Sequence, residues 1–143
     1  YGLNYALLRP MVKWEDMTTL AVGWERLGGN GVIAVQTPLA TLHRHNSWAD
    51  IFTTTPVNGL RDVNVRLMQE LPDTGFAKTP KIDLRYHDFR AARGGAHYGS
   101  EFDADLSFTV LSRATLGLRF AHYDAKNFAA DTTKLWIYVE MQY

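Results

Sequence analysis

Apolar and polar side chains alternate along much of this chain. In the last ten residues, 134–143, one side of an extended strand would carry Leu135, Ile137, Val139, Met141 and Tyr143, because successive side chains of a strand point to opposite faces. A tilted strand of about 10 residues with this period is long enough to cross a bilayer. The pattern predicts a β-strand with one apolar and one polar face.

Similar alternating runs, bounded by turn residues, predict seven strands in all. They are expected near 2–13, 17–27, 61–71, 80–89, 100–111, 115–123 and 134–143. The first run is the least regular, since Leu7 and Leu8 are adjacent and Pro10 has no backbone N–H to give to a ladder. We therefore expect a sheet edge, a bulge or a strand end near Pro10.

The predicted connections alternate between short and long. They are 14–16, 28–60, 72–79, 90–99, 112–114 and 124–133. Outer-membrane barrels have short periplasmic turns and longer external loops. The pattern favours an all-β, antiparallel transmembrane β-barrel. A soluble lipocalin-like or sandwich fold is the alternative, and it would bury the apolar faces against other protein.

Seven strands are fewer than the eight of the smallest typical closed barrel. The number is also odd, whereas bacterial single-chain barrels have an even number of strands. An open sheet in lipid would expose unpaired backbone groups at its edges, each costing several kcal/mol. We therefore expect residues 1–143 to form the C-terminal segment of a larger barrel. Residues 28–60 would be one long loop, which either caps the barrel outside or folds into its mouth as a constriction. The apolar residues of this loop, among them Trp48, Ile51 and Phe52, predict that the loop packs on itself or in the barrel mouth and does not extend freely into solvent.

Composition adds little that contradicts a barrel. The chain is 46% hydrophobic and 13% aromatic, with a mean hydropathy of −0.22, and alternation keeps the average of a barrel near that of a soluble protein. No run approaches the ~18 apolar residues of a membrane helix. The chain has no cysteine and hence no disulfide or thiolate metal site. A net charge of +0 argues against a nucleic-acid partner.

Charged residues on the polar faces are the candidate channel lining. Arg85 and Arg119 are the leading candidates for a constriction, because a guanidinium can brace neighbouring carboxylates and create a field across a pore. The alternative is that these charges are cross-strand ion pairs that only brace the wall. The predicted lining residues are Arg66, Lys81, Asp83, Arg85, Glu101, Asp103, Asp105, Arg119, Lys134 and Glu140.

Aromatic residues cluster near the predicted strand ends. Amphipathic rings favour the headgroup level of a bilayer, so the positions predict an aromatic girdle. The general preference of aromatic residues for strands is the alternative explanation. The predicted girdle comprises Trp14, Trp24, Tyr86, Tyr123, Trp136 and Tyr143.

Other chemistry is weakly indicated. His43 and His45 share one side of an extended segment but have no evident third metal ligand. Asp124, Asn127 and Asp131 are spaced for a turn and not for an EF-hand. We expect no metal and no cofactor. The chain has no G-x-S-x-G or P-loop motif, and Ser100 is the nearest serine to His87 or His122, so we do not expect an enzyme.

Several short motifs, in this order and spacing, resemble the C-terminal portion of the alginate-export-type outer-membrane proteins of Gram-negative bacteria. The motifs are GWERLGGNG at 23–31, QTPLATLH at 36–43, WAD at 48–50, TTPVNGL at 54–60, YDA at 123–125 and DTTKLW at 131–136. The resemblance runs the length of the chain. It implies a monomeric barrel of about eighteen strands in the bacterial outer membrane, acting as a passive diffusion channel.

The charge pattern departs from that family, which exports an acidic polysaccharide through a cationic pore. Basic and acidic residues nearly balance on the polar faces here. We therefore expect a porin for small polar or anionic solutes, with outer-membrane lipid and lipopolysaccharide around it and the barrel assembly machinery engaging its C-terminal strand. The first alternative is a structural or partner-binding barrel in an envelope complex. An outer-membrane lipid hydrolase is the second.

Overall fold

The structure is a computed structural model that describes residues 3–15, 17–36, 47–110 and 113–141. These residues form strands and connections, and the described ranges contain no helix that is long and apolar enough to cross a membrane. The strands are β1 (Tyr5–Leu8), β2 (Met11–Trp14), β3 (Thr18–Leu27), β4 (Leu60–Glu70), β5 (Lys78–Arg90), β6 (His97–Val110), β7 (Ala114–Ala125) and β8 (Thr132–Met141).

All eight strands belong to one antiparallel sheet. From β3 onwards each strand pairs with the next along the chain, and β1 and β2 both pair with β3. Within the described ranges, β1 and β2 form one edge of the sheet and β8 forms the other, so the sheet is open. The prediction of an all-β, antiparallel fold is confirmed.

The predicted first strand is divided in two, which makes the count of seven wrong. β1 ends at Leu8 and β2 begins at Met11, with Pro10 between them. The break predicted at Pro10 is therefore confirmed. The chain stays attached to β3 across the break, because the Pro10 carbonyl accepts a hydrogen bond from the Val22 N–H at 3.1 Å.

The lengths of the connections differ from the predicted alternation. At one end of the strands, here called the turn end, lie residues 15–17, 71–77 and 111–113; at the other, the loop end, lie 28–59, 91–96 and 126–131. The 28–59 connection is long as predicted, but 91–96 is no longer than 71–77. The cause is that β5 and β6 continue beyond their predicted ends and take up residues that we assigned to the loop.

The 71–77 connection is a tied turn. The Thr74 N–H donates to the Ala77 carbonyl at 2.9 Å, and the Thr79 N–H donates to the Asp73 carboxylate at 2.7 Å. This backbone hydrogen bond, together with Lys78 at 3.3 Å, holds the pKa of Asp73 below its ordinary value. The 71–77 connection is therefore held by its own polar contacts.

The two faces of the sheet differ in which side chains they expose to solvent. On one face, here the apolar face, aliphatic and aromatic side chains are exposed, with Ile137 at 84%. On the other, the polar face, charged groups are buried, with Asp103 at 0% and Glu101 at 1%. Soluble proteins have the reverse distribution. The exposed set includes Leu20, Val22, Val63, Val65, Leu67, Tyr86, Phe102, Leu106, Leu118, Leu135, Ile137 and Val139.

The buried apolar cluster lies on the polar face at the loop end. Leu27, Leu60, Phe89 and Tyr123, all 0% exposed, extend from four strands. Phe52 of the 28–59 connection packs on them, with its ring 4.5 Å from that of Phe89. The core of this molecule is thus formed between the sheet and its longest connection.

Gly59 joins the long connection to β4, and we expect Gly59→Ala to be strongly destabilising. Its φ is +74°, and a Cβ there would lie 2.4 Å from the Leu27 carbonyl oxygen and 2.7 Å from the Gly29 nitrogen. Gly94→Ala is the matched control, because Gly94 also has a positive φ, +80°, but open space around it. We expect about 1 kcal/mol for Gly94→Ala and about 2 kcal/mol more for Gly59→Ala in denaturant unfolding. Equal losses of unfolding free energy in the two variants would mean that the backbone around Gly59 can move to make room for a Cβ.

Candidate functional site

The predicted channel-lining residues all lie on the polar face. The register brings them together: Arg66 is opposite Arg85, Arg85 is opposite Asp103, and Asp105 is opposite Arg119. Since the side-chain period of a strand is two, the rest of the predicted set falls on the same face. The face thus carries a band of charges that runs across β4 to β8.

Two carboxylates organise these charges. Asp83 binds two guanidinium groups, accepting hydrogen bonds from Arg66 at 2.7 and 2.8 Å and from Arg85 at 2.8 Å. Asp105 accepts a hydrogen bond from Arg119 at 2.9 Å and contacts the Tyr138 hydroxyl at 3.0 Å. Both carboxylates are only 7% exposed, which makes these charge-assisted contacts stronger than surface ion pairs.

Residues 47–52 of the long connection, here the inner segment, pack against this face. Glu101 accepts three hydrogen bonds from the segment: from the Ser47 hydroxyl at 2.7 Å, the Trp48 N–H at 2.9 Å and the Ala49 N–H at 2.6 Å. All four residues are buried. One carboxylate on β6 therefore satisfies the polar groups of a whole turn of the connection.

Trp48 is held between two arginines. The guanidinium carbons of Arg85 and Arg119 lie 4.3 and 4.4 Å from the centre of its ring, within the range of cation–π attraction. Beside it, Lys134 donates a hydrogen bond to Asp50 at 3.0 Å. The inner segment is thus fixed to β5, β6, β7 and β8 at once. The two residues predicted to form a constriction, Arg85 and Arg119, are its side walls.

A polar groove of about 700 Å³ remains beside the inner segment, towards the turn end. Of the predicted lining, Glu101, Asp103 and Lys134 are not among its walls. They lie under or against the inner segment instead. The groove is lined by Arg9, Trp48, Arg66, Thr79, Lys81, Asp83, Arg85, Asp105, Ser107, Phe108, Thr109, Thr115, Arg119, Tyr138 and Glu140.

A second polar cluster was not anticipated from the sequence. His87 Nδ1 lies 3.0 Å from the Asp62 carboxylate, and Asn64 donates to Asp62 at 3.0 Å. His87 Nε2 lies 3.9 Å from Asp103, whose two oxygens have no hydrogen-bond partner among the described residues. Asp62 and His87 are 25 residues apart in the sequence, so the cluster becomes evident only from the pairing of β4 with β5.

The residues predicted to form an aromatic girdle do not all lie on the same face of the sheet. Trp14, Trp24 and Tyr86 lie among the exposed residues of the sheet. Tyr123 is fully buried in the core on the polar face, and Trp136 packs against that core. Those two are therefore wrong as girdle residues, because alternation puts them on the opposite face from Tyr86. Tyr143 lies outside the described residues.

Neither metal nor hydrolase chemistry gains support. Asp131 accepts a hydrogen bond from the Ala125 N–H at 2.8 Å, and Asp124 pairs with Lys126 at 2.9 Å, so these residues act as turn formers. The described part of the chain has no cluster of three metal-ligating side chains, while His43 and His45 lie outside it. Ser100 and His87 sit on opposite faces of the sheet, since Ser100 pairs with Asp88 and Glu101 with His87. His122 shares the face of Ser100, but its Nδ1 lies 2.8 Å from the Thr133 hydroxyl.

Comparison with known proteins gives no further indication of function. No family model, curated protein or solved structure matches this chain.

Proposed function

We propose that this chain forms part of the wall of an outer-membrane β-barrel channel for the passive diffusion of small polar or anionic solutes. The observation that carries the proposal is the inverted distribution of the two faces, with exposed aliphatic side chains on one and buried ion pairs on the other. Lipid on the first face and an aqueous lumen on the second account for both together.

The size of the apolar face fits a bilayer. On β6 it extends from Phe102 to Val110, about 26 Å along the strand at about 3.3 Å per residue. The apolar band of transmembrane barrels is about 25 Å tall. On β8 the same face runs from Leu135 to Met141, with exposures of 58 to 84%. A soluble fold of this composition would bury such a surface.

A closed wall needs strands on both free edges. Unpaired backbone groups at β1, β2 and β8 would each cost several kcal/mol in hydrocarbon. The resemblance to alginate-export-type proteins implies about eighteen strands, and the proposal requires that further strands pair with these edges. The C-terminal strand β8 would then also be the element that the barrel assembly machinery engages.

The lumen would be narrowed by the inner segment. Three hydrogen bonds hold it to Glu101, and the groove beside it is polar and lined by charges of both signs. Such a passage favours hydrated small solutes over apolar ones. A structural or partner-binding barrel, the alternative considered from the sequence, gives no reason for a polar groove beside a fixed segment.

Single-channel recording in planar bilayers tests the proposal. The wild-type barrel, with further strands paired to both edges of this sheet, is expected to open stable pores. Removing one unit charge at about 10 Å from a permeating ion changes its energy by about 0.4 kcal/mol in water. Because this change raises the energy of an anion and lowers that of a cation, Arg85→Ala and Arg119→Ala should each lower the anion-to-cation permeability ratio about fourfold. Arg113→Ala, an exposed site in the 111–113 connection, is the matched control and should leave it unchanged.

Two results would contradict the proposal. One is a protein that stays monodisperse in buffer without detergent and forms no pores. The other is a pore in which all three variants have the selectivity of wild type. That result would contradict the groove as the permeation path and make the two arginines bracing groups only.

A further inference from the structure

Three arginines form a row across the apolar face at its loop end. Arg26 of β3 is directly opposite Arg61 of β4, and Arg61 is directly opposite Arg90 of β5. His97 of β6 continues the row, opposite Arg90. We call Arg26, Arg61 and Arg90 the arginine row. They share the face of Trp24 and Val63 and not the face of the candidate lumen.

The neighbouring carboxylates do not neutralise all the positive charge of the arginine row. Arg90 pairs with Asp88 at 2.8 Å, and His97 lies 3.0 Å from the same carboxylate. No carboxylate pairs with Arg26 or Arg61 in the described part of the chain, and the Nε of Arg26 is buried without a hydrogen-bond partner. Like charges directly opposite each other destabilise a sheet. A bound anion would remove this repulsion.

Exposed apolar side chains lie next to the row on its turn-end side. The next positions towards the turn end are Trp24, Val63 and Asp88, the carboxylate paired with Arg90, followed by Val22, Val65 and Tyr86. The five apolar residues are at least 36% exposed. A ligand that fits both surfaces has an anionic head and apolar chains. A free anion would use only the arginines, and a soluble acidic protein would leave the aliphatic side chains uncovered.

We propose, building on the function proposed above, that the arginine row binds the phosphate headgroup of a membrane lipid whose acyl chains lie on the apolar face. Guanidinium groups bind phosphate through two parallel N–H donors. Neighbouring strands are about 4.8 Å apart, so the row spans about 10 Å. That span accommodates two phosphate groups on one headgroup, and a bisphosphorylated lipid is therefore the expected ligand class.

The proposal is tested by lipid binding to the purified full chain in neutral detergent micelles. A fluorescent lipid with two headgroup phosphates is titrated against wild type, Arg61→Gln and Arg26→Gln, with Arg113→Gln at the turn end as the matched control. Loss of one charged hydrogen-bonding partner should weaken binding about tenfold for the two row variants. Arg113→Gln should bind as wild type does, and a phosphocholine lipid should bind wild type at least tenfold more weakly than the bisphosphorylated one.

Any of three results overturns the proposal. The row variants bind like Arg113→Gln; the phosphocholine lipid binds as well as the phosphorylated one; or inorganic phosphate displaces the lipid at equal concentration, which would make the row a site for a free anion. Unfolding temperatures of all variants show whether a loss of binding reflects a loss of fold.

Failure here is distinguishable from failure of the channel proposal. A protein that inserts and conducts but does not discriminate between lipids overturns the arginine row alone. A protein that does not insert overturns the channel proposal, whatever its affinity for phosphate.

Discussion

Ile137→Arg is expected to destabilise the protein in lipid vesicles by about 2–4 kcal/mol, the penalty for a basic residue near the middle of the lipid-facing band of a barrel. Ile137 is 84% exposed and lies opposite Leu118 in the central part of the apolar face. It therefore makes few protein contacts that the substitution could remove. The free energy of unfolding from vesicles, measured by denaturant titration, reports the effect.

Ile33→Arg is the matched control for this prediction. Ile33 is the same residue type, 48% exposed, and lies in the 28–59 connection, outside the strands. A surface substitution of this kind changes stability by about 0.5 kcal/mol or less. In a water-soluble protein, Ile137→Arg would be equally harmless. Equal unfolding free energies for the two variants would therefore show that the apolar face does not contact lipid.

Glu101→Ala is expected to release the inner segment from the sheet. The substitution removes the common acceptor of Ser47, Trp48 and Ala49 and leaves three buried donors without partners. Each lost hydrogen bond costs about 1 kcal/mol or more, so the inner segment is held to the sheet about 3 kcal/mol less strongly. Hydrogen exchange at the Trp48 and Ala49 amides should become about 100-fold faster, and single-channel conductance should rise because the segment no longer narrows the passage.

Glu101→Gln separates the loss of the acceptor from the loss of size. Its amide oxygen still accepts the two backbone hydrogen bonds, and its NH₂ group donates to the Ser47 hydroxyl, so exchange should remain close to that of wild type. If Glu101→Ala also leaves the exchange rates unchanged, the segment is held by Phe52 and the aromatic cluster, and Glu101 is not its seat.

The strands and their two faces were predictable because both follow from a local period of two. The alternation assigns Leu135 and Lys134, for example, to opposite faces without any knowledge of pairing, and the structure agrees, since Leu135 is exposed on the apolar face and Lys134 binds Asp50 on the other. The division of the first strand was also foreseeable at Pro10, though its effect on the strand count was not. Strand ends were less accurate, since β5 and β6 continue through residues that have no clear alternation.

The site itself was only half predictable. The charged residues of the polar face could be identified, but their partners depend on register across strands. The position of Trp48 depends on contacts with Arg85 and Arg119, and no local pattern encodes contacts over such separations. Tyr123 and Trp136 were misassigned because nearness to a strand end was given more weight than the face of the strand.

The long separation between the inner segment and Glu101 also constrains the order in which the molecule assembles. From β3 onwards each strand adds beside its predecessor, so the sheet can grow one hairpin at a time. The hydrogen bonds to Glu101 span 52 to 54 residues, and closing so large a loop carries an entropic penalty that hairpins avoid. Residues 47–52 therefore dock only after β6 is in place, and until then the polar face of the growing sheet stays uncovered at Glu101.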